Sequence, residues 1–331
     1  MNAFGRIFKV AIFGESHGAS VGINIDGCPA GLPLTVEDFL VDIERRKGGT
    51  QKGTTPRKED DLPIFKSGLF NDKTTGAPIT ILFENNNTRS GDYEKLRAVP
   101  RPGHADFVAH RKYGGFEDYR GGGHFSGRLT VCLVAAGVIA KKLMPDVKVT
   151  ASILQIGGET DLEKGLQKAI DAKDSIGGIV ECRVSGLPLG LGEPFFDSVE
   201  SLLSHAVFAI PAVRGIEFGT GFAAASMFGS EHNDAIEDMT GKTATNHAGG
   251  VVGGITNGNE LVFRIAIKPT SSTPKEQQTL NWETGSKESF SVKGRHDLCI
   301  ALRVPVVLEA VTAMVLADLL LLEQKMPRVI S

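Results

Sequence analysis

A short pattern occurs twice in this chain. Gly27-Cys28-Pro29-Ala30-Gly31-Leu32 and Gly186-Leu187-Pro188-Leu189-Gly190-Leu191 share the form GxPxGL. Each precedes a helix-like stretch, Thr35-Val36-Glu37-Asp38-Phe39-Leu40 in the first case and Ser198-Val199-Glu200-Ser201-Leu202-Leu203 in the second. The turns lie 159 residues apart (27 to 186) and the helix starts 163 apart (35 to 198). Matching offsets of this size point to two similar halves. A 331-residue chain is long enough for one large domain or two smaller ones. The repeat favours a single α/β domain of the α+β type spanning 1–331, built from pseudo-repeated halves of about 1–150 and 151–331, with a ligand site where they meet.

Local patterning fills in the elements. Residues 7–13 and 20–25 read as strands, the second alternating small or polar with apolar side chains. Thr35 is placed to cap a helix with Glu37 and Asp38 in its first turn and Phe39, Leu40 and Ile43 on its apolar side. Arg45, Arg46 and Lys47 then fall at the helix C-terminus, where cations suit the dipole. Residues 48–61 predict a mobile basic loop, and 78–83 a strand within the polar segment 71–89. A helix is expected over 125–143, strands over 178–184, 215–218 and 261–267, and a helix over 199–208. The closing apolar stretch, 300–322, is long enough to cross a membrane, but Arg303, Glu309 and Asp318 within it favour a buried core or interface helix.

Charge and cysteine usage exclude several function classes. A net charge of −3 argues against a general nucleic-acid binder, which needs a broad basic surface. Locally, residues 42–58 carry Arg45, Arg46, Lys47, Lys52, Arg57 and Lys58 against Asp42 and Glu44, which suits a small polyanion. Cys28, Cys132, Cys182 and Cys299 form no CxxC pair and read as reduced core thiols. Residues 1–6 resemble no targeting segment, so a cytoplasmic location is expected.

Four clusters carry the chemistry. Gly14-Glu15-Ser16-His17-Gly18 puts a carboxylate, a hydroxyl and an imidazole on one glycine-bounded turn. Arg101-Pro102-Gly103-His104-Ala105-Asp106 presents a second imidazole beside a fixed and a free backbone position. Arg120-Gly121-Gly122-Gly123-His124-Phe125-Ser126-Gly127-Arg128 precedes a helix, where bare amides would favour an anion, and reads equally well as a flexible glycine hinge. Lys293-Gly294-Arg295-His296-Asp297 stands ahead of the last helix, which Asp297 could simply cap. Eight scattered histidines without HxH or HxxxH spacing give no metal motif. Ser16, His17 and Asp297 allow a hydrolytic triad only on paper, since no nucleophile elbow is present.

Taken in order, GESHG, RPGHAD, DYRGGG (118–123), NHAGG (246–250), KPTSS (268–272) and GRHD (294–297) resemble the chorismate synthase family over essentially the whole chain. The resemblance implies helices sandwiched between mostly antiparallel sheets, a homotetramer, and the shikimate-pathway conversion of 5-enolpyruvylshikimate 3-phosphate to chorismate and phosphate. That anti-1,4-elimination needs reduced FMN, drawn from NADPH or an external flavin reductase. Carried over by motif, His17 and His104 would be general acids, and Asp297 would help manage the flavin N5 proton. Ser16, Arg46, Lys52, Ser126, Arg128 and Arg295 would bind substrate. FMN would lie against His124, Phe125, Ser126, Pro211, Ala212, Gly253, Lys268, Pro269, Thr270, Ser271, Ser272 and Arg295. The chain departs from the family in having His124 and Phe125 where arginine and serine are common, and Lys52 where arginine is usual. Two other readings remain open at this level: a non-catalytic polyanion-binding module and an NADPH-dependent flavin reductase.

Overall fold

The computed structural model describes residues 2–49, 52–55, 59–87, 97–292, 296–327 and 329–330. In the first half the order is β1 (Ala3–Phe4), β2 (Lys9–Gly14), β3 (Ser20–Asp26), α1 (Glu37–Arg46), β4 (Ile64–Ser67), the small pair β5 (Leu69–Phe70) and β6 (Lys73–Thr74), β7 (Ile79–Glu84), α2 (Asp106–Tyr113) and α3 (Thr130–Leu143). The second half runs β8 (Lys148–Ile156), α4 (Leu162–Ala172), β9 (Gly178–Ser185), α5 (Val199–Val207), β10 (Val213–Phe218), α6 (Gly229–His232), the pair β11 (Val251–Val252) and β12 (Ile255–Thr256), β13 (Leu261–Ile267), the hairpin β14 (Gln277–Leu280) and β15 (Lys287–Phe290), and α7 (Val304–Leu322).

Two antiparallel sheets result, ordered β1-β2-β3-β7-β4 and β10-β13-β9-β8. Apart from β1, the strands are laid down in the same spatial order in both. The helices fill the space between: α3 packs along α7, α1 against α3, α5 against α7, and α7 also rests on β8 and β9. Such a position explains why α3 and α7 are apolar around their whole circumference rather than on one stripe. Their axes come close because Gly137 faces Ala310, and a Cβ on Gly137 would stand 2.2 Å from that of Ala310. Truncating a fully buried side chain here, such as Leu316→Ala, would cost about 2–5 kcal/mol.

The GxPxGL turns share one hydrogen-bond pattern. Gly31 N–H donates to Thr74 O at 2.8 Å and Leu32 N–H to Thr74 Oγ1 at 2.9 Å, while Thr74 Oγ1 donates to Pro29 O at 2.7 Å. In the second half Gly190 donates to Thr256 O at 2.9 Å, Leu191 to Thr256 Oγ1 at 2.9 Å, and Thr256 Oγ1 to Pro188 O at 2.8 Å. In each case the threonine ends the second strand of a two-residue hairpin.

Charges in the last helix are all engaged. Asp318 accepts the amides of Arg6, Ile7 and Phe8 at 2.9, 2.7 and 2.8 Å. Glu309 takes both ends of the Arg45 guanidinium at 2.7 Å, plus Lys141 at 3.0 Å and the Ala151 amide at 3.0 Å. The segment Ile300–Leu322 is long and apolar enough to cross a membrane, yet 94% of its most apolar window is buried inside the fold.

Some boundaries differ from expectation. The helix expected over 125–143 begins at Thr130, after a single 3-10 turn, Gly127–Leu129. The first helix starts at Glu37, and Thr35 contributes its amide to Asp38 Oδ2 (2.8 Å) rather than a side-chain cap. The described part of the 48–61 loop is docked: Gly53 O accepts Leu298 N–H at 2.9 Å, and Thr55 N–H donates to Asp297 Oδ1 at 2.8 Å. That carboxylate does not cap the last helix. All four cysteines are buried and free, and burial pushes the Cys28, Cys132 and Cys182 thiols up to about 12, leaving no reactive thiolate among them.

Candidate functional site

A cavity of about 900 Å³ is lined by residues between Asn2 and Leu133 and between His205 and Met314. One end is basic, with Arg46, Arg128 and Arg303 around Asp61 and Asp297. The floor is apolar, formed by Leu133, Val307, Val311 and Met314. The other end holds His104 and the loop from Lys268 to Ser272, with Pro211 and Ala212 beside it.

The basic end is a buried ion network. Asp61 binds Arg46 Nη1 through Oδ2 at 3.0 Å and Arg128 Nη1 through Oδ1, so one carboxylate orients two guanidiniums. Arg46 also donates from Nε to Thr130 Oγ1 at 2.9 Å and from Nη2 to the carbonyls of Gly127 and Arg128. Burial, with Arg303 and Arg128 nearby, presses the Arg46 pKa down, although a guanidinium keeps its charge in proteins. Arg128 Nε donates to Asn85 Oδ1 at 2.9 Å, and Asn85 Nδ2 donates to Glu15 O and Gly18 O, tying the GESHG turn to this network. Arg303 donates from Nε to Arg46 O at 2.8 Å and from Nη1 to Asp297 Oδ2 at 3.1 Å.

The two histidine turns meet at the glycines. Gly121, Gly122 and Gly123 all have positive φ (60°, 82° and 52°). They form a left-handed turn rather than a helix N-terminus. Glycine is needed because the imidazoles press against the backbone. A Cβ on Gly121 would lie 2.2 Å from His17 Nδ1 and 2.9 Å from Ser16 Oγ, and one on Gly122 would lie 3.2 Å from His104 Cε1. His17 and His104 therefore abut successive residues of one turn. Gly121 is on the cavity wall, whereas Ser16 and His17 sit one glycine behind it, both buried.

His104 belongs to a charged triad. Its Nδ1 lies 2.5 Å from Asp106 Oδ1, and Arg101 grips the same carboxylate from Nε (2.7 Å) and Nη2 (2.8 Å). Burial alone would raise the Asp106 pKa, but hydrogen bonds from Arg101 and His104 outweigh it and hold the carboxyl well below its usual range. Arg101 Nη1 also donates to Ser272 Oγ at 3.2 Å. Ser271 Oγ donates to Gly103 O at 2.8 Å, and Lys268 Nζ to Ser271 Oγ at 2.7 Å. Burial and then Arg214 lower the Lys268 pKa.

The remaining expected residues divide. Ser126 lines the cavity, its Oγ accepting Arg128 N–H at 3.2 Å. His124 Nδ1 lies 2.8 Å from Gly14 O, which can only accept, so Nδ1 carries the proton and links the two turns. Phe125 lies on the rim with its ring 6.5 Å from Tyr113. Lys52 stands off the cavity, exposed, with Nζ 3.4 Å from Gln167 Oε1. Gly253 is also away from it, at the tip between β11 and β12, where a Cβ would meet nothing within 4 Å. Arg295 lies outside the described residues. Three roles were missed: Asp61, for which spacing offered no signal; Arg303, whose charge in an apolar run was the clue; and the Arg101–Asp106 pair, already inside a quoted motif. Among the described residues, no group of three or more His, Cys, Asp or Glu side chains could hold a metal ion.

A flavin fits the observed donors. Thr270 lines the cavity, and its Oγ1 is buried with no hydrogen-bond partner among the described residues, beside the Lys268 ammonium and above an apolar floor. A planar, anionic, hydrogen-bonding ligand matches that combination.

Comparison with known proteins places these observations in a family. The family model for chorismate synthase matches residues 8–321. A chorismate synthase from Chitinophaga pinensis is 76% identical over 330 residues, covering 99% of each chain. One from Dehalococcoides mccartyi is 44% identical over 361 residues, covering 100% of this chain and 99% of its own. Among solved structures, a crystal structure of chorismate synthase superposes with a TM-score of 0.75 at 26% identity, covering 97% of this chain and 93% of that one.

Proposed function

This chain belongs to the chorismate synthase family, carbon–oxygen lyases of the shikimate route to aromatic amino acids, and we propose that its cavity carries out the family's reaction with reduced FMN as cofactor. The observation that carries this reading is the Gly121–Gly122 turn, with an imidazole against each glycine and a basic network at the far end of one cavity. Elimination of phosphate from 5-enolpyruvylshikimate 3-phosphate needs a proton acceptor for a weakly acidic C–H and an acid for the departing phosphate. Two imidazoles suit acid duty near neutral pH, a role worth about 10²–10⁴-fold in rate.

Each residue then has a task. Arg46, Arg128 and Ser126 grip the substrate anions, joined by Arg303, while Asp61 fixes the guanidiniums so that they meet phosphate or carboxylate without reorganising. Asp106 engages His104 Nδ1, which leaves Nε2 as the proton-donating atom. His17 serves as the second acid through the gap that Gly121 leaves, with Ser16 beside it. Asp297, positioned by Thr55 N–H and Arg303, accepts a proton near the flavin. Pro211, Ala212, His124, Phe125, and the Lys268, Pro269, Thr270, Ser271 and Ser272 loop would hold the flavin. Reduced FMN, when bound, lends electron density to the substrate ring and takes up hydrogen. Lys52 and Gly253 stand off the wall and take no part in this reading.

The proposal extends to organisation. We take the shared strand order and the matched threonine-centred turns as two halves of one duplicated domain, with the cavity at their junction. A homotetramer is supported by exposed aromatic side chains in the second half, including Phe195, Phe196 and Phe222. A cytoplasmic location accords with four free cysteines, and NADPH or a separate reductase would supply reduced flavin. Anaerobic incubation with dithionite-reduced FMN and 5-enolpyruvylshikimate 3-phosphate should release chorismate and phosphate in equal amounts. Folded protein that releases neither overturns the reading, and NADPH oxidation with FMN alone would identify a reductase instead.

A further inference from the structure

Behind His104 lies a second, smaller cavity of about 30 Å³. It shares Arg101, His104 and Phe125 with the large one, and Glu117 and His110 stand on its other wall. That volume suits one or two water molecules with polar partners. His110 comes from the last turn of α2, which ends on Gly114 in the left-handed conformation. The chain then turns back so that Glu117 Oε1 lies 3.1 Å from His110 Nδ1. Gly115, at φ +83°, permits the return, since a Cβ there would stand 3.0 Å from His110 Cε1. The other carboxylate oxygen, Glu117 Oε2, is buried with no hydrogen-bond partner among the described residues. An unsatisfied buried oxygen is costly, so its position on a water-sized polar chamber is informative. At the outer end the His110 ring stacks on Trp282, with centroids 4.6 Å apart and planes 16° apart, and its side chain is 36% exposed.

We propose that His110, Glu117 and water in this chamber form a proton-supply path to His104. The proposal rests on the reading of His104 as a general acid, because such a group ends each turnover one proton short. With substrate in the large cavity, water on that side is displaced, and the chamber offers a route from behind. A buffer acid or hydronium protonates His110 at Nε2, and the Nδ1 proton passes to Glu117 Oε1. Rotation of the carboxyl then turns that O–H toward the chamber, where water takes the proton while passing one of its own to His104. Each step breaks one N–H or O–H bond and forms another, and no electrons change hands. Asp106 cannot take this role, since Arg101 and His104 hold it in its ionised form.

The test uses full-length Glu117→Gln and His110→Gln proteins with dithionite-reduced FMN and 5-enolpyruvylshikimate 3-phosphate in dilute buffer, resolving the first turnover from later ones by rapid quench. The first turnover should match the unaltered protein, because resupply of His104 begins only after it. Later turnovers should be at least about tenfold slower and recover when imidazole is added. Unchanged later turnovers in both variants overturn the proposal, as does equal slowing of first and later turnovers without rescue, which marks a structural role. His104→Ala keeps the two readings apart: a normal first turnover there removes the general-acid role itself, whatever the Glu117 result.

Discussion

Replacing Gly121 by alanine tests the His17 assignment without touching the imidazole. The new Cβ would lie 2.2 Å from His17 Nδ1, against an ordinary contact near 3.5 Å, so the ring must retreat by about 1.3 Å. Misplacing a catalytic group by about 1 Å can cost roughly 10²-fold in rate, or about 2.7 kcal/mol of barrier. Alanine at φ +60° also strains the backbone by about 1–2 kcal/mol, and that must be separated from the effect on chemistry. Gly158 supplies the control: its φ is +81°, and a Cβ there meets nothing within 4 Å. Gly158→Ala should lower the urea midpoint by the backbone strain alone and Gly121→Ala by more, and only the latter should lose about 10²-fold in anaerobic chorismate formation while keeping its FMN affinity. If Gly121→Ala turns over within about threefold of Gly158→Ala, His17 does not act in the reaction.

Other expectations follow from the ion networks. Asp61→Asn leaves Arg46 and Arg128 sharing a neutral amide and should destabilise the fold by about 3–5 kcal/mol in urea titration; a loss below about 1 kcal/mol would mean the network is not structural. Asp297→Asn keeps an oxygen for the Thr55 amide and should fold normally but lose turnover at least about 10²-fold, whereas lost stability with normal turnover would make it a structural tie. For Asp106 and Glu309, burial raises the pKa, but hydrogen bonds from Arg101 and His104 in one case and from Arg45 and Lys141 in the other lower it further. Both carboxyls then bind protons less readily folded than unfolded. Their stabilisation is present above the unfolded carboxyl pKa of about 4 and is lost as pH falls toward the depressed folded values. Urea midpoints should fall from pH 5 to pH 3, less steeply in Asp106→Asn, and an unchanged slope in that variant would contradict the assignment.

How much of this was legible beforehand depended on the range of the interactions. Ser20–Asp26 was readable because alternation is a property of seven adjacent residues, and its buried positions Val21, Ile23 and Ile25 follow that alternation. The GxPxGL turns were readable as a pair, but Thr74 and Thr256, which stitch them, lie 42 and 65 residues further on and carry no local mark. Gly121, Gly122 and Gly123 could be read as the mouth of a helix or as a hinge, since glycine permits either and a left-handed turn besides, and only the imidazoles packed against them decide. Lys52 illustrates the same limit. A cation in a basic loop looks identical from sequence whether it faces a cavity or, as here, Gln167.

The two long core helices bring similar equipment to the cavity. A single 3-10 turn precedes each, Gly127–Leu129 before α3 and Ile300–Arg303 before α7, and each turn presents an arginine to a carboxylate: Arg128 to Asp61, Arg303 to Asp297. Arg46 sits between them, binding Thr130 at the start of α3 and accepting Arg303 on its carbonyl. Among the described residues at this end, three guanidiniums meet two carboxylates, with Glu59 on the same wall and Lys47 paired to Glu44 at 3.1 Å. Two helix N-termini, each equivalent to about half a charge, add positive potential at this end. Burial of the Arg46, Arg128 and Asp61 side chains leaves their charges less screened than at the surface. That potential favours an anion in the cavity over a neutral ligand of the same shape. Under the proposed function, selection for a phosphorylated substrate lies where the turns ahead of α3 and α7 meet.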